Sequence, residues 1–227
     1  MPRPGFVLEV DKSTPPILFW RGENFSLEKL PAGRSRVIYA PEPLPAIEDV
    51  DGAIRHALLN PIEQDPLPEQ LFPGMKLTIA FDDVSLPLPK MQRPDIRQRV
   101  IEAVLDMAAD AGVDDVHIIS ALALHRRMTE AELRHAVGDR VYDAFAPRGT
   151  LYQHDAEDPE NLSYLGTTPH GEDVEINKRA AESDLLVYVN INLVAMDGGW
   201  KSTATGLSSY KSLRHHHNPE TMIHSRS

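Results

Sequence analysis

From Gly74 onward, short β-rich apolar runs alternate with stretches of helical periodicity, an order that points to a parallel sheet with helices packed on it. Residues 77–81 form a strand-sized run that stops at Asp82-Asp83. Ile96, Val100, Val104 and Ala108, with Ile101, Leu105 and Ala111, make one apolar stripe on a helix opening near Pro94 and ended by Gly112. Residues 116–119 are the next strand, and Thr129 with Glu132 spells a capping box for a helix through Val137 that Gly138 ends. Residues 151–154 and 185–189 read as further strands, the second of a fully buried type, and residues 176–183 as a short helix. The expected class is α/β: a Rossmann-like parallel-sheet domain over residues 76–227, with helices on both faces.

Residues 1–75 read differently, as a small β-rich, proline-rich segment. Residues 6–10 and 17–20 look like a strand pair, residues 36–40 like another strand, and residues 47–59 like a helix ended by Asn60-Pro61. His56 on that helix is expected at the surface.

Chemistry is narrowed next by composition. The chain has no cysteine, which excludes a disulfide scaffold, a Cys-ligated zinc site, an iron–sulfur cluster and a thiol nucleophile. A net charge of -11 works against a broad nucleic-acid surface. The N-terminus lacks the pattern of a signal peptide, and the longest apolar runs are far short of the ~20 residues that span a bilayer. The expectation is a soluble cytoplasmic protein that engages neither membrane nor nucleic acid.

In parallel sheets the ligand crevice lies beyond the C-terminal strand ends, which directs attention to four segments. Asp82-Asp83-Val84-Ser85 could bind a metal, a hydroxyl or a cofactor phosphate, or merely cap a turn. His125 follows a strand and precedes a capped helix, a place suited to proton transfer, and the adjacent Arg126 and Arg127 could hold a carboxylate. Asp197-Gly198-Gly199-Trp200-Lys201 lets the backbone approach a ligand beside a lysine able to form a covalent attachment. It is not a phosphate loop of the Walker type, because Trp200 separates the glycines from the lysine. His215-His216-His217 could supply one metal ligand. His154-Asp155 is a weaker pair, since neighbours on a strand face opposite ways. His117 reads as structural and His135 as solvated.

Taken together and in this order, these segments resemble the lactate racemase family, the nickel-pincer-dependent racemases and epimerases of 2-hydroxy acids. The resemblance runs from about Pro43 to His217 and rests chiefly on His125-Arg126-Arg127-Met128-Thr129 and Gly198-Gly199-Trp200-Lys201. It extends to Ala57-Leu58-Leu59-Asn60-Pro61-Ile62, the Asp82-Asp83 turn, His154-Asp155, Leu165-Gly166-Thr167 and Ile176-Asn177-Lys178. It implies a cofactor, the nickel(II) pyridinium-3-thioamide-5-thiocarboxylic acid mononucleotide, attached through Lys201, with His217 as the nickel ligand. Sulfur donors carried by that cofactor would answer the absence of cysteine. It further implies His125 as the base that takes the 2-hydroxyl proton while hydride passes from C2 to the pyridinium ring. Asp82, Asp83, Ser85, Gly198 and Gly199 would approach the cofactor; Arg126, Arg127 and Asn192 would approach the substrate. Cofactor-synthesis proteins are the implied partners, and a small 2-hydroxy acid the implied ligand.

Three departures accompany the resemblance. A second histidine expected upstream of the lysine block is replaced by Asn190-Ile191-Asn192-Leu193, and a Thr-Arg-Pro turn by Ser85-Leu86-Pro87. The family's C-terminal domain has no counterpart in this sequence, which suggests a natural truncation or a fragment. The leading expectation is racemisation or epimerisation of a 2-hydroxy acid other than lactate. The alternatives are a non-catalytic binding protein for the nickel-pincer cofactor and a single-base 2-hydroxy acid oxidoreductase.

Overall fold

Local sequence signals place most helix ends where the chain turns. A computed structural model of the chain describes residues 7–22, 24–39, 44–85, 91–192 and 199–224. The chain divides into two compact units, Met1–Glu48 and Asp49–Ser227.

In the first unit, β1 (Val7–Glu9) pairs antiparallel not with its sequence neighbour β2 (Ile17–Arg21) but with β4 (Arg36–Ile38). β2 forms a hairpin with β3 (Asn24–Glu28), matching Leu18 to Leu27 and Trp20 to Phe25 across the strands. Residues 6–10 and 17–20 are therefore not a strand pair. Gly22, at φ 74, supplies the left-handed turn conformation that reverses the chain between β2 and β3.

The second unit opens with α1 (Val50–Leu59), capped by Asp49, whose carboxylate accepts from the Gly52 N–H at 2.8 Å. α2 (Leu67–Gln70) leads into β5 (Lys76–Asp82), and α3 (Ile96–Asp110) into β6 (Asp115–Ala121). α4 (Glu130–Val137) carries the full capping box of Thr129 and Glu132. Gly138, at φ 81, ends α4 and at the same time starts α5 (Asp139–Phe145). β7 (Leu151–Gln153) completes one side of the sheet.

β8 (Leu162–Thr167) and β9 (Asp173–Asn177) then form a separate antiparallel hairpin, which shortens the expected helix to α6 (Lys178–Ala181). Next come β10 (Leu185–Val189), α7 (Gly199–Gly206), α8 (Tyr210–His216) and α9 (Pro219–His224).

The four-stranded sheet runs β10-β5-β6-β7, and all three of its pairings are parallel. β10 is an edge strand, so most of it is half-buried rather than enclosed. One face packs Leu77, Ile79, Phe81 and Ile118 against α3, α4 and α5. The other packs Ala80, Ile119 and Ala121 against Ala180 and Leu207. Helical segments thus cover both faces, as the α/β class requires. Among the described residues no helix is long and apolar enough to cross a membrane.

Candidate functional site

Because β5, β6 and β10 are parallel, their C-terminal ends lie side by side. Val189 is matched to Phe81, and Phe81 to Ser120. Asp82 and Asp83 leave β5 at this edge and face different partners. Asp82 Oδ2 accepts from the Asn190 amide at 2.7 Å and from the Ile191 N–H at 2.6 Å, tying β5 to the segment after β10. The Tyr188 hydroxyl donates to the same carboxylate. Burial pushes the Asp82 pKa up, against the lowering effect of these hydrogen bonds. Tyr188 is raised as well, chiefly by burial and then by the Asp82 charge, so its hydroxyl stays a donor.

Asp83, almost fully buried, faces His125. Its Oδ2 lies 3.0 Å from His125 Nδ1, while its Oδ1 accepts from the Ser85 hydroxyl at 2.7 Å and the Ser85 N–H at 3.2 Å. The backbone under both aspartates is braced by Arg97, whose Nη1 donates to the Asp82 carbonyl at 2.8 Å and the Asp83 carbonyl at 3.1 Å. Arg97 is held in turn by Asp95, which is fully enclosed and accepts from Nε at 3.0 Å and Nη2 at 2.8 Å.

His125 reaches Asp83 because the chain bends sharply after β6. Ala123 has φ 49, its N–H donates to the Gly206 carbonyl at 3.0 Å, and the His125 N–H donates to Leu122 at 2.7 Å. With Nδ1 turned toward a carboxylate, the tautomer that donates its proton there leaves the Nε2 lone pair free. The His125 side chain is 51% exposed, so Nε2 is within reach of a ligand.

α7 brings the lysine to the same edge. Gly206 packs so closely on the end of β6 that a Cβ there would collide with the Tyr188 hydroxyl and sit 3.0 Å from the Ala121 Cβ. Gly199 opens the helix at φ 56, and Gly198 lies outside the described residues. Lys201, His125, Asp82, Asp83, Ser85 and Asn190 line one small crevice of about 100 Å³. His217 caps α8. Its pKa is lowered by burial first, then by the charges of His216, Lys201 and His125.

Other expected site residues are engaged elsewhere. Arg126 forms a two-pronged pair with Glu132 at 2.9 and 2.7 Å, which holds the Glu132 pKa down to about 2. Arg127 pairs with Asp155 at 2.6 Å, and Asn192 is exposed beyond β10. His154, 1% exposed, bonds the Ser208 carbonyl at 2.9 Å and faces Asn177, so its ring fastens β7 to the end of α7 rather than facing the crevice. His135 is not solvated: its Nε2 bonds the Met91 carbonyl at 2.8 Å.

Sequence reading missed Arg97, Tyr188, Asn190 and Gly206. Only Gly206 carried a local signal, a glycine at the end of a short helix. Among the described residues no group of three or more acidic or histidine side chains is placed to hold a metal. The donors present, a lysine amine and imidazoles without any thiolate, fit a group that brings its own soft ligands and needs a covalent anchor and an imidazole.

The family model for the lactate racemase N-terminal domain matches residues 22–227. The lactate racemase of Lactiplantibacillus plantarum is 30% identical over 171 residues, covering 74% of this chain and 38% of that protein. The lactate racemase of Thermoanaerobacterium thermosaccharolyticum is 29% identical over 174 residues, covering 72% and 37%. The solved lactate racemase apoprotein of the latter organism matches with a TM-score of 0.61 at 26% identity, over 84% of this chain and 46% of that one. A Thermotoga maritima protein, at 19% identity and a TM-score of 0.50, shares the fold. The chain spans less than half the length of these relatives.

Proposed function

The chain belongs to the lactate racemase family, through its N-terminal domain, and from that premise we propose that it inverts C2 of a 2-hydroxy acid other than lactate. The observation that carries this reading is the Asp83–His125 pair opening on the crevice that Lys201 also lines. In the proposed reaction His125 Nε2 removes the 2-hydroxyl proton, and the Asp83 carboxylate at Nδ1 stabilises the imidazolium that results. A nickel-pincer pyridinium nucleotide, anchored through Lys201 with His217 at its nickel, supplies the hydride acceptor when bound. His125 then returns its proton to the oxygen once C2 has regained hydrogen.

In this reading, with the expected Gly198 outside the described residues, Asp82, Ser85 and Gly199 border the cofactor. Ser85 does so while fixing Asp83, and Asp82 while fixing the Asn190–Ile191 backbone. In this reading Arg127 takes the substrate carboxylate by exchanging Asp155 for it, Arg126 likewise by releasing Glu132, and Asn192, exposed beyond β10, approaches the substrate from solvent. A leucine at position 86, where the family has an arginine, supports a substrate differently anchored from lactate.

One observation favours a second reading, in which the domain holds the cofactor or oxidises from one face only: His125 is the one imidazole among the described residues lining the crevice. The deciding experiment is C2 hydrogen exchange over a panel of 2-hydroxy acids with cofactor-loaded protein. Exchange that falls ~10²–10⁴-fold in His125→Ala, with the cofactor still attached, is the expected result. Stoichiometric nickel with no exchange on any substrate would replace catalysis by cofactor holding.

A further inference from the structure

The hairpin of β2 and β3 leaves one apolar face open to water. Strand alternation and the register set Leu18 and Trp20 opposite Leu27 and Phe25, all four on the same side of the ribbon. Each of the four is 61–71% exposed. The other side closes on itself: Arg21 Nε donates to the Ser26 hydroxyl at 2.8 Å, and Arg21 pairs with Glu28 at 3.1 Å.

A ribbon built this way needs a surface to pack on. Among the described residues β2 and β3 share their sheet with no third strand, and none of their side chains is buried. An isolated two-stranded hairpin is marginal in water. The unit Met1–Glu48 offers it little support, because Val10 is the unit's one buried apolar residue among those described and the chain has no cysteine to staple it. Two leucines and two aromatics so exposed present roughly 500 Å² of apolar surface. A patch of that size commonly marks an interaction site.

Charge selects the partner. Residues 1–48 contain six Lys or Arg and six Asp or Glu, so the whole net charge of -11 lies on residues 49–227. Two such acidic bodies repel, and the neutral unit is where two copies approach without that repulsion. Copies facing through their hairpins bury about 1,000 Å² together, the least that a specific interface needs. Identical flat faces also meet the self-complementarity that a two-fold axis demands. We propose that the β2–β3 hairpin is a self-association surface, on which a second copy of this chain covers Leu18, Trp20, Phe25 and Leu27. Trp20 and Phe25, matched across the strands, are its anchors.

Light scattering and sedimentation velocity of the untagged chain across a dilution series test this. A mass of twice 25.3 kDa is expected at the concentrated end, falling toward one chain on dilution. In a Trp200→Phe background, where Trp20 is the sole indole, emission should shift to the red over the same dilution. Trp20→Thr and Leu27→Thr retain strand propensity and should weaken association, the first by ~30-fold or more, as loss of an interface anchor does. Phe19→Thr alters the opposite face and should associate as the parent does, which separates loss of the face from loss of the hairpin. Added NaCl should strengthen the dimer by screening the acidic bodies. A monomer at every concentration overturns the proposal; if its Trp20 emission is already that of a shielded indole, the face belongs to another part of the same chain. Equal weakening in Phe19→Thr and Trp20→Thr, or a dimer that NaCl dissociates, overturns it as well.

Discussion

Asp83 and Ser85 set the state of His125 before any ligand arrives: Ser85 holds Oδ1 of the carboxylate while Oδ2 faces Nδ1 of the ring at 3.0 Å. Replacing Asp83 by Asn puts an amide donor within reach of Nδ1 and favours the tautomer with the proton on Nε2. C2 exchange in Asp83→Asn is therefore expected to fall ~10²-fold or more, with attachment at Lys201 intact by intact mass. A buried histidine makes a different prediction. Burial holds the His154 pKa below its ordinary 6.5, so the folded chain refuses a proton that the unfolded chain accepts below that pH. As pH falls from 7 toward 5, the unfolded state binds more protons and stability drops. His154→Gln keeps a donor for the Ser208 carbonyl without titrating, so its melting temperature should depend less steeply on pH. Equal slopes in thermal melts at pH 5, 6 and 7 would disprove it. His117, His216 and His217 are lowered in the same direction and leave a residual slope in the variant.

Among the elements, α7 matters most to the site, because Gly206 seats it against β6 and β10 while Lys201 stands near its start. Gly206→Ala should lower stability by ~1–3 kcal/mol in denaturant titrations, as overpacking does. It should also reduce cofactor attachment at Lys201, because the added methyl pushes the helix off the strand ends. Attachment equal to the parent's would mean that α7 tolerates the shift. Helices with complete local signals were legible: the stripe from Ile96 to Ala108 and the Thr129–Glu132 box gave α3 and α4 to within a residue or two of their ends. α5 was not, because Gly138 reads as a stop while its φ of 81 also lets the next helix begin. The β8–β9 hairpin was missed for another reason. Its residues are mostly half-buried or exposed, and a register shift between Tyr164 and Gly166 breaks the alternation that identifies a strand.

On the scale of the whole molecule, nearly all the buried apolar residues belong to the unit Asp49–Ser227, with Val10 the exception among those described. That unit should fold alone: the piece 49–227 is expected to give a single cooperative unfolding transition, and a non-cooperative melt would show that residues 1–48 are needed. The amino-acid sequence by itself determined the α/β class and directed attention to the strand ends, with Asp83 and His125 as candidates there, while the resemblance to the family singled out His217 and gave Lys201 its part. It could do so because periodicity, caps and strand termini are local, encoded within a dozen neighbouring residues. Tertiary structure alone decided that β1 pairs with β4, since short strands with similar patterns carry no label for their partner. Only the fold could bring Asp83 to His125, 42 residues away, and set Arg97 beneath both aspartates of the turn. Those contacts depend on the parallel register of β5 and β6 and on the bend at Ala123, where distance along the chain no longer measures distance in space.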